Sequence, residues 1–259
     1  MSSTSIHSDQ PARAERPRLS VGIAQSPREI LQAQKLRHRV FAGELGARLS
    51  TRTPGVDQDI YDAYCEHLVV RDEAAGTVVG TYRILSPEKA RKVGNYYTEN
   101  EFDLTRLQHL RPRLVEIGRS CVDADYRTGA TITLLWSGLA KYMIDNHYEY
   151  FIGCASISMA DGGLAAASLY SRLGDYMSPL EYRVFPRCPL PLGALKNDLP
   201  AELPPLIKGY LRAGAYVCGD PAWDPDFNTA DLPILMMMSR LSGRYARHFA
   251  GQRSAEIAA

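Results

Sequence analysis

The chain has 259 residues, 45 % of them hydrophobic, and its 30 basic against 29 acidic side chains leave a formal net charge of +1. That length holds one large domain or two small ones with a real core, and the even charge balance removes any whole-molecule case for nucleic-acid binding. No apolar run approaches the ~18 residues needed to span a bilayer, the longest lying around 232–238. The cysteines at 65, 121, 154, 188 and 218 are scattered, with no Cys-x-x-Cys, and the six histidines show no metal-ligand spacing. A cytoplasmic protein with thiols as small core residues and no metal is the expectation.

Residues 1–18, rich in Ser, Pro and Arg, read as a disordered arm rather than an export signal. Leu19–Ala24 reads as a strand. Ser26 and Pro27 then open a helix that the spacing of Ala33, Leu36, Val40, Phe41 and Leu45 carries to about Leu45. Residues 46–64 read as a long loop. His67–Arg71 and Thr77–Leu85 are strands joined by a hairpin at 72–76, and 86–112 reads as irregular. Arg113–Val122 is a strand. Gly129–His147 has the strongest helical period of the chain. Tyr150–Ala155 suits a buried parallel strand. Leu164–Leu173 reads as a helix ended by Gly174. A short helix at Leu206–Arg212, strands at Ala215–Cys218 and Leu232–Met238, and a basic helix or tail over 240–259 follow. The order is that of a mixed α/β fold, one sheet with helices on both faces, over residues 19–239.

Charges inside apolar runs are the features that need a chemical explanation. Glu116 and Arg119 lie in a strand, where alternation puts Leu114, Glu116, Gly118 and Ser120 on one face and Arg119 on the other. A bulge near Gly118 would bring the two charges together. They form either a buried structural pair or a site whose desolvated carboxylate accepts a proton. Arg37, Arg83, Asp59 and Asp62 are either paired among themselves and with solvent, or a clamp for a zwitterion. In the clamp, guanidinium forks hold a carboxylate and the aspartates hold an ammonium. Arg127, Gly129 and Ala130 lie at a strand-to-helix turn, where free N–H groups can meet a phosphate. His67 and Asp72 match the His-x-x-x-x-Asp pattern of glycerolipid acyltransferases, but in a strand that offset points them to opposite faces. Arg106, Arg111, Arg113 and Arg127 read as ordinary surface arginines or as a basic patch that steers an acidic carrier protein. The four arginines of 240–253, interleaved with Leu241, Tyr245 and Phe249, read as a solvated face or as contact with anionic lipid.

Together these segments resemble the GNAT acyltransferase superfamily, in its acyl-carrier-protein-using branch. Arg37-x-x-Val40-Phe41, Asp59-x-Tyr61-Asp62, Arg83 and Glu116-x-x-Arg119 are similar, in order, to the signature residues of acyl-homoserine lactone synthases. Longer strings resemble L-ornithine Nα-acyltransferases over about residues 19–250. Among them are Gly80-Thr-Tyr-Arg-Ile-Leu, Glu116-Ile-Gly-Arg-Ser-Cys-Val and the run from Val217 to Asp231.

The resemblance implies a splayed central sheet and transfer of a 3-hydroxyacyl group from acyl carrier protein to the α-amine of ornithine, giving lyso-ornithine lipid. Glu116 would take the amine proton and Arg119 would set its geometry and charge. Arg37, Phe41, Asp59, Asp62 and Arg83 would hold the acceptor. Arg127, Gly129 and Ala130 would meet the phosphopantetheine arm, the only prosthetic group implied. The turn Tyr126-Arg-Thr-Gly-Ala-Thr departs from the fuller GNAT pyrophosphate loop, and 42–50 lacks the tryptophan of autoinducer synthases. Alternatives are another amino-acid-like acceptor, lyso-lipid O-acylation through His67 and Asp72, and a non-catalytic binding domain. The implied location is cytoplasmic, peripheral at the inner membrane.

Overall fold

The computed structural model describes residues 17–241; most of the expected arm and tail, residues 1–16 and 242–259, lie outside them. β1 (Leu19–Ile23) leads to α1 (Pro27–His38), where the Ser26 hydroxyl accepts the Glu29 N–H at 3.3 Å. The helix continues as a π-helical turn, Arg39–Glu44, and so stops one residue short of Leu45. β2 (Glu66–Asp72) and β3 (Thr77–Leu85) form the expected hairpin. α2 (Pro87–Val93) stands where irregular chain was expected. Its start repeats the earlier signal, since Ser86 accepts the Lys89 N–H and Pro87 opens the first turn. Seven residues are too few to display a period.

After β4 (Phe102–Asp103) come β5 (Leu114–Val122), α3 (Gly129–Asp145) and β6 (Tyr150–Ser158). α4 (Leu164–Tyr170) ends before Gly174, at a point where the Ser171 hydroxyl donates to the Ser168 carbonyl and competes with the helix ladder. β7 (Phe185–Pro186), α5 (Pro205–Ala213), β8 (Tyr216–Val217), β9 (Ala222–Asp224) and β10 (Thr229–Met237) complete the order. β10 begins three residues before the expected Leu232, because β6 on one side and β9 on the other supply partners for Thr229–Asp231.

The main sheet runs β1-β2-β3-β5-β6-β10-β8, with β9 also on β10 and β4 paired separately with β7. β5 and β6 are parallel; the other pairs of the main sheet are antiparallel. Alternation along β2 distributes the helices. Val69 packs with Ala33 and Leu36 of α1 and Val40 of the π-helical turn, whereas Leu68 and Val70 pack with Leu135 and Leu139 of α3. Helices therefore cover both faces. No helix among the described residues is long and apolar enough to cross a membrane.

Two local departures from a flat sheet build the site. β5 and β6 pair only from Leu114–Tyr150 to Glu116–Ile152 and then part. At the point of parting a Cβ on Gly153 would lie 2.3 Å from the Ile117 carbonyl oxygen, so only glycine permits the approach. On its other edge β5 pairs Gly118 with Arg83 and Cys121 with Thr81. Two β5 residues, Arg119 and Ser120, thus oppose the single residue Tyr82. This is the bulge expected near Gly118, and Arg119 takes φ +50° within it.

Candidate active site

Where β5 and β6 separate, a cavity of about 340 Å³ opens between them, large enough for a small polar substrate. Glu116, Gly118, Arg119 and Ser120 wall one side, Cys154 and Ser156 the other, and Phe41 and Arg83 also reach it. The ladder of β5 ends on this side after Glu116, which leaves backbone groups of both strands facing the gap.

Glu116 is 5 % exposed. Its carboxylate accepts the Tyr97 N–H at 2.7 Å, the Thr98 N–H at 2.6 Å and the Thr98 hydroxyl. Burial pushes the Glu116 carboxyl above the usual range, against the opposing effects of the Thr98 and Tyr97 hydrogen bonds and the Arg83 charge. Arg119 does not contact it. The expectation that Arg119 sets Glu116's geometry and charge is thus corrected: Thr98 and Tyr97 hold the carboxylate, and Arg83 is the arginine whose charge acts most on it. The bulge turns Arg119 into the cavity beside Glu116, and its guanidinium is drawn to acids on the far side.

Those acids form a closed ring of alternating charge. Arg37 donates to Asp57 at 2.8 Å and to Asp62 at 2.7 Å. Arg83 donates to Asp62 at 3.0 Å and to Asp59 at 2.7 Å. Arg119 lies 3.4 Å from both Asp59 and Asp57, which closes the circuit. Burial would raise the Asp62 carboxyl, but Arg37 and Arg83 overcome it and hold the group far below the usual range. Each ion finds two opposite partners, so the desolvation cost of burying Arg37, Asp57, Asp62 and Arg83 is offset inside the ring.

The ring corrects part of the expected acceptor clamp. Arg37 is fully buried, and neither it nor Asp59 nor Asp62 lines the cavity. Arg83 and Arg119 are the two ring members that do. Arg119 is also sandwiched, with its guanidinium carbon 4.3 Å from the Phe227 ring centroid and 4.9 Å from that of Tyr97. Phe41 supports the same wall through an edge-on contact with Phe227, 5.7 Å between centroids. Asp57, Tyr97, Thr98 and Phe227 were not singled out by sequence reasoning. Asp57 carried a signal in its spacing to Asp59 and Asp62; the others carried none.

His67 and Asp72 point to opposite faces of β2, as the offset requires. His67 sits against Arg37, 3.4 Å from its guanidinium, and burial together with that charge pushes it down to about 4. Asp72 instead caps the hairpin through the Ala74 and Ala75 N–H groups and accepts the Tyr126 hydroxyl. The pair cannot share a substrate.

Gly129 and Ala130 stand exposed at the start of α3, and Arg127 donates to the Val122 carbonyl and to Glu44. None of the three lines the cavity. The four-arginine patch is not one surface. Arg113 precedes β5 and Arg127 follows it, and a nine-residue strand spans ~30 Å. Arg111 and Arg113 are moreover paired with Glu99 and Glu149.

Residues 36–137 match the acetyltransferase (GNAT) domain family. The acyl-homoserine lactone synthase LasI shares the fold at 16 % identity and TM-score 0.53, with 88 % of this chain and 96 % of that chain covered. FeeM, an N-acyl amino acid synthase from uncultured soil microbes, does so at 12 % identity and TM-score 0.51, covering 88 % of this chain and 94 % of its own. Sequence similarity is far stronger to two curated proteins named L-ornithine N(alpha)-acyltransferase. The one from Brucella abortus is 36 % identical over 90 % of this chain and 89 % of its own, and that from Rhizobium meliloti 35 % over 89 % and 84 %. With that identity sustained over nine-tenths of its length, this chain belongs to the L-ornithine N(alpha)-acyltransferase family and is a GNAT-fold N-acyltransferase.

Proposed function

We propose that the enzyme transfers a 3-hydroxyacyl group from the phosphopantetheine thioester of acyl carrier protein to the α-amine of L-ornithine, giving lyso-ornithine lipid. The acceptor follows from the names of the relatives. The observation that carries the chemistry is a buried carboxylate, Glu116, on the wall of a cavity formed where two parallel strands part.

The amine nitrogen attacks the thioester carbonyl carbon. A C–N bond forms, the C–S bond breaks, and the arm leaves as a thiolate that takes up the amine's proton from Glu116 to become the thiol. Glu116, directly or through water, takes the proton that the amine loses; its raised pKa suits a base working near neutrality. Backbone N–H groups on the unpaired edges of β5 and β6 stabilise the tetrahedral oxyanion. Arg83 and Arg119 offer their charge to the acceptor carboxylate, while Arg37 and the three ring aspartates hold those two arginines in place. No covalent enzyme intermediate is needed. The exposed start of α3, with Arg127, Gly129 and Ala130, is a place for the single phosphate of the donor arm. The product is amphiphilic, which suits release at the cytoplasmic face of a membrane, with the segment 240–259 as contact.

The test is incubation with 3-hydroxyacyl carrier protein and a panel of amino acids, with products read by mass. Acyl-ornithine as the dominant product supports the proposal. Preference for a different amino acid, or equal use of the acyl-CoA, would overturn the acceptor or the donor.

A further inference from the structure

A second acidic centre, unlike the first, borders the cavity. Glu101, Cys154 and Asp231 bring one ligand atom each to within 4.8 Å of one another. Asp231 is 4 % exposed, and its Oδ1 has no hydrogen-bond partner; the same is true of both carboxylate oxygens of Glu101, which are themselves shielded from solvent. Asp224 stands beside them, and Asp224, Asp231 and Cys154 line the cavity, whereas Glu101 does not. Burial first, then Asp231 and Asp224, push the Glu101 carboxyl up to about 10. Asp231 is raised in the same way, by burial and by Asp224.

What distinguishes this centre is that no basic side chain among the described residues pairs with it. Each aspartate of the ring faces two arginines. The groups that act most on Glu101 and Asp231 are Asp224, Cys154, Ser156, Thr229 and each other, none of them basic. Two carboxyls that close in a dry wall must share a proton or bind a cation. Glu116 is a short relay away, since the Thr98 hydroxyl donates to Glu116 and receives the Cys154 thiol at 3.8 Å.

Building on the ornithine reading, we infer that Asp231 and Asp224, backed by Glu101, bind the side-chain ammonium of the acceptor while its α-amine faces Glu116. An ammonium brings three N–H donors, and apart from the shared proton the three carboxylate oxygens have no donor among the described residues. The shared proton leaves when the cation enters, so a neutral side chain of the same length gains nothing from the site.

The experiment compares ornithine with norvaline, the same chain without the terminal amine, on wild type, Asp231→Asn and Glu101→Gln. It reads kcat and KM, and calorimetric binding of each amino acid. The kcat/KM preference for ornithine over norvaline should fall roughly a hundredfold in Asp231→Asn, mainly through KM. Both variants should unfold at or above the wild-type temperature, because an uncompensated buried carboxylate is removed. An unchanged preference in variants that still acylate ornithine overturns the inference and leaves the proposed function standing. Ornithine that binds wild type more tightly than norvaline, loses that advantage in Asp231→Asn, and yet is not acylated supports the inference against the proposed function. Zn²⁺ or Mg²⁺ bound by wild type, lost in Asp231→Asn and not displaced by ornithine would make the cluster a metal site and overturn it.

Discussion

Replacing Arg37 with methionine separates a structural role from a substrate-binding one. The side chain is fully buried, and its stem is close to that of methionine in shape. The substitution removes the donors that meet Asp57 at 2.8 Å and Asp62 at 2.7 Å, and the bond to the Asp57 carbonyl at 2.5 Å. Removing one partner of a buried pair costs ~3–5 kcal/mol. Asp62 keeps Arg83 and Asp57 keeps Arg119, so the loss falls near the lower end, about 3 kcal/mol. For a chain of this size that lowers Tm by about 6–12 °C. Urea unfolding should show a lower midpoint with an unchanged slope.

The pH dependence supplies an independent check. Asp62 is depressed in the folded state, so its pairing stabilises above the unfolded carboxyl value and is lost as pH falls through the folded one. The stability gap between wild type and variant should therefore narrow as pH drops below about 4. An unchanged Tm with a raised KM for the acceptor would refute the reasoning and make Arg37 a ligand for substrate.

Glu116→Gln should lower kcat roughly a hundredfold or more and remove the acidic limb of the kcat/KM profile; near wild-type turnover removes Glu116 from proton transfer. In the wild type that limb should rise with pH through an inflection above the ordinary carboxyl range. Gly153→Ala drives a Cβ to 2.3 Å from the Ile117 carbonyl, and should cost about 1–3 kcal/mol in urea along with much of the activity. Gly193→Ala, which meets nothing within 4 Å, should stay within about 0.5 kcal/mol. The raised Glu101 carboxyl binds its proton more tightly in the folded state. Stability should therefore decline as pH rises from about 5 towards 10, and Glu101→Gln should flatten that decline in melting curves taken across the range.

The periodicity of 129–147 and the serine–proline start at 26–27 were sufficient for α3 and α1, because both depend on neighbours along the chain. Alternation along β2 likewise separated His67 from Asp72 before any coordinates. Alternation along β5 required a bulge if Glu116 and Arg119 were to serve one site, and the bulge is there. α2 escaped because it is short, and β9 because its strand character depends on β10 beside it.

The charges inside apolar runs marked the right neighbourhood but not the right partners. Burial without compensation is costly, and that much is legible residue by residue. Which acid meets which arginine depends on how residues 57–62 fold against α1, β3 and β5. Only that packing closes Arg37, Arg83 and Arg119 into a ring with three aspartates, and assigns Glu116 to the backbone of Tyr97 and Thr98. Glu101 and Asp231 are 130 positions apart, and nothing along the chain links them. The sequence alone thus determined the elements, the family likeness and the unusual charges, which rest on local pattern. Tertiary structure alone decided which charges are satisfied by one another and which are left facing the cavity, since a counterion is a neighbour in space.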